Sequence, residues 1–205
     1  MNENKVRDLI LKAKDSKIIA ASKYADVSSM VKLYNLGIHD FGENRVDSFL
    51  GKYNVLNGYN ITWHFIGHLQ RNKAKYVLGK IDYLHSLDNI LLLEYIERYC
   101  NKPLNCFIEV NISSDENKYG IKPNELEEFL AETKKYSMVR IVGLMTILKN
   151  GLSHLEKMAY FKEISELSKK YNLPMTSFGM SSDYEEALCF KPTYIRLGSI
   201  LFMED

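Results

Sequence analysis

Hydrophobic and polar positions alternate along this chain in two recurring patterns. Short runs rich in β-branched and aromatic residues predict buried strands, and the longer segments between them carry the spacing of amphipathic helices. The predicted strands are 17–23, 38–43, 61–67, 82–87, 105–112, 140–147, 175–180 and 194–202. The predicted helices are 3–14, 26–36, 45–53, 70–79, 89–99, 123–136, 153–171 and 183–189. This regular alternation indicates a parallel sheet whose strands are joined by crossover helices.

About eight β units within 205 residues favour a closed (β/α)₈ barrel of the TIM type over an open doubly wound sheet. The sequence contains no linker, repeat or low-complexity tract, so we expect one domain over residues 1–205. Three residues mark helix starts. Pro123 begins one helix, Ser153 can cap the next, and Asp183 stands where an N-cap carboxylate would accept hydrogen bonds from free amides.

Composition narrows the functional classes. The hydrophobic fraction is 46% and the formal net charge is +1, so no overall field recruits nucleic acid or an anionic membrane. The charged N-terminus has no apolar signal segment, and no later segment is long and apolar enough to span a bilayer. The three cysteines form no CxxC pair, which suits a reducing compartment. We therefore expect a cytoplasmic protein that binds neither nucleic acid nor membrane. We also expect a monomer, although composition does not determine the oligomeric state.

Chemically versatile residues cluster where the predicted strands end. In a barrel of this kind the functional site lies at the C-terminal ends of the strands and on the loops that follow them. The residues found there are Lys23, Gly42 to Asn44, Gly67 and His68, Asn111 to Ser113, Gly179 to Ser181, and Arg196 with Gly198 and Ser199 on the last strand. The sequence therefore predicts a functional site at this end of the barrel.

Lys23 ends the apolar run 18–22, so a buried strand would deliver its amine into a pocket. A neutral lysine amine can form a Schiff base, and partial burial beside other cations lowers a lysine pKa far enough to supply it near neutral pH. A solvated lysine at a strand end is the alternative.

A phosphate site is predicted where segment 179–183 joins a strand to a helix and where Gly198 and Ser199 lie on the last strand. Glycine lets the backbone approach a phosphate closely, while free amides and a serine hydroxyl donate hydrogen bonds to it. An ordinary strand-to-helix turn explains the same residues equally well.

Arg196 lies between Ile195 and Leu197 in a strand that should be buried, so its guanidinium must face an interior partner. That partner is either a carboxylate, such as Glu109 or Glu43, or a ligand atom.

The histidines predict no metal site. His64 and His68 lack the spacing of a zinc pair on a helix, and the chain has no HExxH motif or Cys/His cluster. We interpret His39, His85 and His154 as hydrogen-bonded structural or surface residues.

Taken together, the motifs resemble the YggS/PROSC family of pyridoxal phosphate (PLP) homeostasis proteins, whose fold is similar to the N-terminal barrel of alanine racemase. The resemblance covers nearly the whole chain. It is carried by Ser22-Lys23, Phe41-Gly42-Glu43-Asn44, Trp63 to Gly67 with Leu69-Gln70 and Asn72-Lys73, Asn111-Ile112-Ser113, Gly143-Leu144-Met145, Ser177 with Gly179-Met180-Ser181 and Asp183, and Arg196-Leu197-Gly198.

The resemblance implies a role for each candidate residue. Lys23 would carry PLP as a Schiff base, and Arg196 would face the pyridine nitrogen. Lys118 would lie near the cofactor and take part in its loading or release. The remaining residues would hold the phosphate or line the pocket; they are Ser181, Gly198 and Ser199 for the phosphate, and Asn44 and Met145 for the pocket.

The resemblance also implies a function without efficient turnover. An arginine beside the pyridine nitrogen disfavours its protonation, which weakens carbanion chemistry. Racemases of this fold add a second domain with a tyrosine base, whereas this sequence ends at Asp205. We expect a protein that buffers or delivers PLP, with PLP and PLP-dependent apo-enzymes as partners. The alternatives are a PLP-dependent amino-acid racemase of low activity and a cofactor-free Schiff-base aldolase.

Overall fold

The computed structural model describes residues 1–113 and 119–202. In this part of the chain, eight parallel strands pair in sequence order, and β8 pairs with β1 to close a barrel. The strands are β1 Lys17–Ala21, β2 Asp40–Glu43, β3 Thr62–Phe65, β4 Tyr83–Leu87, β5 Leu104–Glu109, β6 Val139–Met145, β7 Met175–Met180 and β8 Tyr194–Leu197. The helices are α1 Glu3–Lys12, α2 Val27–Asn35, α3 Val46–Val55, α4 Arg71–Ala74, α5 Ile90–Tyr99, α6 Leu126–Thr133, α7 His154–Lys170, α8 Tyr184–Leu188 and α9 Ser199–Phe202. The predicted (β/α)₈ barrel is confirmed.

Alternate residues of the strands serve two separate cores. On β1, Ile19 belongs to a small cluster with Phe107 and Tyr194, while its neighbours Ile18 and Ala20 belong to a much larger cluster. Because successive side chains of a strand point to opposite faces, the small cluster fills the barrel and the large one packs the barrel against its helices. Both faces of the sheet are therefore buried, as in other parallel sheets.

The three predicted helix starts have different outcomes. Ser153 caps α7 in a complete capping box with Glu156, as predicted. Pro123 does not begin a helix, because α6 starts only at Leu126. Asp183 precedes α8 but makes no side-chain bond to its first turn, so the predicted cap is wrong. Its carboxylate instead accepts a hydrogen bond from the amide of Met180, the last residue of β7.

The last predicted strand is too long. β8 ends at Leu197, and residues 199–202 form the short helix α9, whose Leu201 is buried in the outer core. A short apolar run fits a buried strand and a helical turn equally well, so the sequence pattern alone did not separate them. Gly198 and Ser199 consequently lie beyond the strand, at the C-terminal mouth of the barrel, and not on the strand itself.

The helices of the described residues are amphipathic surface helices. The longest, α7, spans 17 residues and buries Phe161 and Ile164 against the barrel, while most of its other side chains are polar. No helix among residues 1–113 and 119–202 is long and apolar enough to cross a membrane.

Candidate functional site

Strand register brings the predicted site residues to one end of the barrel. β8 pairs with β1 through Leu197 and Ala20, and β7 pairs with β8 through Met180 and Arg196. The loops that follow these three parallel strands therefore lie side by side. They carry Lys23 after β1, Ser181 after β7, and Gly198 with Ser199 after β8.

Lys23 lies in a turn two residues beyond the end of β1. The turn is closed by a 2.9 Å hydrogen bond from the Ala25 amide to the Ser22 carbonyl. The side chain is exposed, with Nζ 4.7 Å from the centroid of the Tyr24 ring. The expected partial burial is therefore wrong. A hydrogen bond from Lys23, together with its charge and a smaller effect of Arg45, lowers the pKa of Tyr24.

The residue before Lys23 is firmly anchored. The buried Ser22 hydroxyl donates a 2.7 Å hydrogen bond to Glu43 Oε1, and its amide donates to the Gly42 carbonyl. Lys52 Nζ lies 2.5 Å from both the Ser22 carbonyl and Glu43 Oε1. Because these bonds fix Ser22, they also fix the backbone from which the Lys23 side chain extends.

Lys52 and Glu43 form a buried ion pair that the sequence analysis missed. Glu43 is fully buried and Lys52 is only 9% exposed. Their pairing shows that Glu43 faces α3 outside the barrel, so its suggested pairing with Arg196 is wrong. The available signal was the helical spacing of Lys52 from Phe49, which places both on the buried face of α3.

The loop after β7 is closed by Asp183. Its Oδ1 accepts a 2.6 Å hydrogen bond from the Met180 amide, and its own amide donates to the Met180 carbonyl. Gly179 has φ +93°, and a Cβ there would lie 2.5 Å from the Cβ of Ala187. Only glycine fits both constraints, so this loop presents Ser181 in a defined position.

Ser181 and Gly198 join the two loops directly. The Gly198 amide donates a 3.2 Å hydrogen bond to Ser181 Oγ, which leaves the serine proton available to another acceptor. A Cβ at Gly198 would lie 3.6 Å from the nearest protein atom, the Ala21 carbonyl oxygen. The protein itself therefore leaves space beside Gly198 and does not require glycine there for packing.

Arg196 faces the barrel interior, as predicted, and is 4% exposed. Its Nη1 donates to the Ser177 carbonyl at 2.8 Å and to Ser177 Oγ at 2.7 Å, while Nη2 donates to the Thr146 carbonyl at 2.9 Å. Among the described residues, these bonds use three of the five guanidinium N–H groups, and the other two have no acceptor there. Burial lowers the pKa of Arg196 to about 10, opposed by the charges of Glu109 and Asp183, so it stays cationic at neutral pH.

Asn44 and Met145 occupy different depths. Asn44 follows β2, and its Oδ1 is buried without a hydrogen-bond partner among the described residues. A Cβ at Gly67 would lie 2.5 Å from Asn44, so glycine is needed there to accommodate it. Met145 is fully buried in the inner cluster and therefore supports the floor of the barrel. Lys118 lies outside the described residues.

The sequence analysis did not predict which side chains lie next to Arg196 inside the barrel. The Ser177 hydroxyl, which accepts a hydrogen bond from Arg196, lies 3.0 Å from Nδ1 of the buried His85. His85 was interpreted as a satisfied structural or surface histidine, and its burial and hydrogen bonds agree with the structural reading. No group of three or more His, Cys, Asp or Glu side chains within the described ranges is arranged to hold a metal ion.

The arrangement fits a phosphorylated pyridine aldehyde such as PLP. An amine stands at the rim, hydroxyl and glycine groups that suit a phosphate lie on the adjacent loops, and Arg196 retains N–H groups that can donate to a pyridine nitrogen. When bound, PLP supplies an aldehyde that reacts reversibly with amines and an aromatic ring that can accept electrons.

Comparison with known proteins places this chain among relatives of the same size. Residues 2–205 match the family model described as the alanine racemase N-terminal domain. The chain is 38% identical over 198 residues to a pyridoxal phosphate homeostasis protein from Aquifex aeolicus, covering 92% of this chain and 87% of the relative. A protein of the same description from Synechocystis is 37% identical over 196 residues, covering 91% and 90%.

Solved structures agree with the sequence comparison. PipY of Synechococcus elongatus without PLP superposes with a TM-score of 0.88 at 31% identity, covering 97% of this chain and 99% of that one. Its structure with PLP bound gives a TM-score of 0.85 at 29% identity over the same shares. Alanine racemase from Corynebacterium glutamicum, at 14% identity and a TM-score of 0.77, covers 99% of this chain and 61% of that one and shares the fold. The chain thus belongs to the alanine racemase N-terminal domain family, within the group of pyridoxal phosphate homeostasis proteins.

Proposed function

We propose that this protein binds PLP as a Schiff base on Lys23 and serves PLP homeostasis by buffering or delivering the cofactor. The observation that carries the proposal is the convergence of Lys23, the Ser181–Gly198 contact and Arg196 at one end of the barrel. The relatives described as pyridoxal phosphate homeostasis proteins and the PLP-bound structure of PipY support it.

In this proposal each residue acts on a different part of the ligand. The neutral Lys23 amine adds to the aldehyde and releases water, and hydrolysis reverses the bond. Ser181, Gly198 and Ser199 hold the phosphate, while Arg196 donates a hydrogen bond to the pyridine nitrogen. Asn44 lines the rim above the floor that Met145 supports. Reversible attachment of this kind holds a reactive aldehyde and still permits its release.

We propose a carrier without efficient turnover because of Arg196. Its pKa of about 10 keeps it cationic, and a cation beside the pyridine nitrogen opposes protonation of that nitrogen. An unprotonated ring is a weaker electron sink, so carbanion formation at a bound amino acid is disfavoured. The relatives are named for homeostasis and not for a reaction, which supports the same reading.

Delivery is part of the proposal. The exposed position of Lys23 leaves its bond to PLP open to attack by water or by another amine. The protein would act as a cytoplasmic monomer that hands PLP to apo-enzymes, with Lys118 assisting loading or release. Faster reactivation of a PLP-dependent apo-enzyme by the loaded protein than by an equal concentration of free PLP is the expected result. Reactivation that only follows the rate of PLP release into solution would show that delivery is passive.

A spectroscopic titration tests the proposal. PLP added to the purified protein should produce a yellow absorbance band that saturates at one equivalent. Lys23→Ala should lose this band, whereas Lys32→Ala, which removes an exposed lysine on α2, should keep it. A band of equal intensity in Lys23→Ala would contradict the covalent site. Rapid loss of an α-deuterium label from L- or D-alanine would instead favour the racemase alternative.

A further inference from the structure

A line of hydrogen-bonded side chains runs through the barrel interior to Arg196. We call it the polar chain, and its members are Asp40, His64, His85 and Ser177. Asp40 Oδ1 lies 2.9 Å from His64 Nε2, and His64 Nδ1 lies 2.9 Å from His85 Nε2. His85 Nδ1 lies 3.0 Å from Ser177 Oγ, which accepts the 2.7 Å bond from Arg196. The polar chain thus crosses from β2 through β3 and β4 to β7, where Ser177 contacts Arg196 of β8.

The two ends of the polar chain determine the direction of every hydrogen bond in it. An ionised Asp40 can only accept, so His64 must donate from Nε2, and a neutral His64 then accepts at Nδ1. His85 must therefore donate from Nε2 and accept at Nδ1, where the Ser177 hydroxyl donates its single proton. The remaining bond, from Arg196 to Ser177 Oγ, has the only direction that a guanidinium allows. All donors point from Arg196 toward Asp40.

This assignment requires both imidazoles to be neutral, which their surroundings favour. Burial lowers the pKa of His85 well below its ordinary value, with smaller contributions from the nearby His64 and the charge of Arg196. Burial also lowers the pKa of His64, where Lys17 acts in the same direction and the carboxylates of Asp40 and Asp82 oppose it.

Aromatic rings fix the planes of both histidines. His64 stacks on Tyr83 at a centroid distance of 4.8 Å, and His85 stacks on Phe107 at 4.5 Å. The edge of Tyr194 packs against both imidazoles, at 5.0 Å and 6.0 Å. Neither ring can turn without disturbing this packing, so the polar chain has a single arrangement.

We propose that the polar chain positions Arg196. It holds the guanidinium in one orientation, so that the remaining N–H groups of Arg196 point toward a ligand at the mouth of the barrel. Each neutral dipole in the chain is polarised by the guanidinium at one end and the carboxylate at the other, which strengthens the bond to Ser177. The members of the chain are positioning residues and do not themselves touch the ligand. This inference rests on the proposed function, because the ligand nitrogen that Arg196 would meet belongs to PLP.

Nuclear magnetic resonance of the ¹⁵N-labelled protein without PLP tests the chain itself. Long-range ¹H–¹⁵N correlations, assigned with His64→Gln and His85→Gln, should show a proton on Nε2 and none on Nδ1 in both rings. A proton on Nδ1 of either ring at pH 7.5 would overturn the proposed direction. This readout needs no cofactor, so it stands even if the proposed function fails.

Ser177→Ala tests the link to Arg196, because it removes the side-chain acceptor that the guanidinium has among the described residues. We expect the Arg196 side-chain N–H signals to shift and broaden, and the affinity for PLP to fall about tenfold in folded protein. Ser165→Ala removes a hydroxyl on α7 that donates a hydrogen bond to the Phe161 carbonyl, and it should change neither readout. Asp40→Asn retains an acceptor for His64 and should bind PLP more tightly than Asp40→Ala.

The outcomes separate the two claims. If wild-type protein binds PLP on Lys23 and Ser177→Ala binds it equally well with unchanged Arg196 signals, the positioning role fails and the proposed function stands. If wild-type protein does not bind PLP, the proposed function fails, and the resonances of His64, His85 and Arg196 still decide whether the polar chain orders the guanidinium. If Ser177→Ala does not fold, the affinities of Asp40→Asn and Asp40→Ala for PLP are compared instead. Tighter binding by Asp40→Asn supports the positioning role, and equal binding contradicts it.

Discussion

Protonation of His85 couples the polar chain to the stability of the whole barrel. The imidazole is fully buried, and burial lowers its pKa well below 6.5 in the folded protein. In the unfolded chain the same side chain is solvated and binds a proton as the pH falls through 6.5. The unfolded state therefore binds more protons below this pH, so His85 contributes stability that is complete above pH 6.5 and is lost as the pH falls.

The size of this effect follows from proton linkage. Between pH 7.5 and pH 5.5, an imidazole that titrates at 6.5 when unfolded and stays neutral when folded lowers the free energy of unfolding by about 1.4 kcal/mol. His85→Gln removes this contribution. Glutamine still offers an N–H group to His64 and a carbonyl to the Ser177 hydroxyl, so the substitution preserves hydrogen bonding while eliminating the titration.

Urea unfolding at the two pH values measures the effect. Between pH 7.5 and pH 5.5, we expect the free energy of unfolding to fall by about 1.4 kcal/mol more in the wild-type protein than in His85→Gln. Titrating groups that do not contact His85 are common to both proteins and cancel in this difference. An equal pH dependence in wild type and His85→Gln would refute a neutral, buried His85.

Three further positions give distinct predictions. Gly198→Ala should fold normally, because its Cβ would lie 3.6 Å from the nearest protein atom, yet should weaken PLP binding about tenfold by filling the space beside Ser181. Gly179→Ala should lower the free energy of unfolding by about 1–3 kcal/mol because Gly179 has a positive φ. Equal stabilities of Gly179→Ala and Gly198→Ala would contradict this reasoning. Lys52→Met leaves Glu43 buried without its cation, so urea unfolding should show that the free energy of unfolding falls by about 3–5 kcal/mol. Adding Glu43→Gln to this variant should restore part of the loss.

The barrel could be predicted from the sequence because its determinants are local. Alternating apolar runs and amphipathic segments mark the strands and helices, and parallel strands joined by helices have few possible arrangements. The interior position of Arg196 followed from its place between Ile195 and Leu197 in a buried strand, where a guanidinium needs an interior partner. Ser153 and Glu156 likewise marked the start of α7 through residues close in sequence.

Other features depended on contacts that local patterns do not encode. The exposure of Lys23 follows from the turn at Ser22–Ala25, and the pairing of Lys52 with Glu43 depends on how α3 packs against the barrel. The bond between His85 and Ser177 joins residues 92 positions apart. Such a contact arises only when the sheet closes on itself, so a sequence read as a series of separate elements gives no sign of it.

The central claim is that Lys23 is the residue to which PLP becomes attached, and a peptide map tests it most directly. The protein should be mixed with one equivalent of PLP, reduced with borohydride, digested and examined by mass spectrometry. The account predicts a pyridoxyl phosphate group on the peptide that contains Lys23, and none on that peptide when PLP is omitted. A label located only on other lysines, or no label at all, would contradict it.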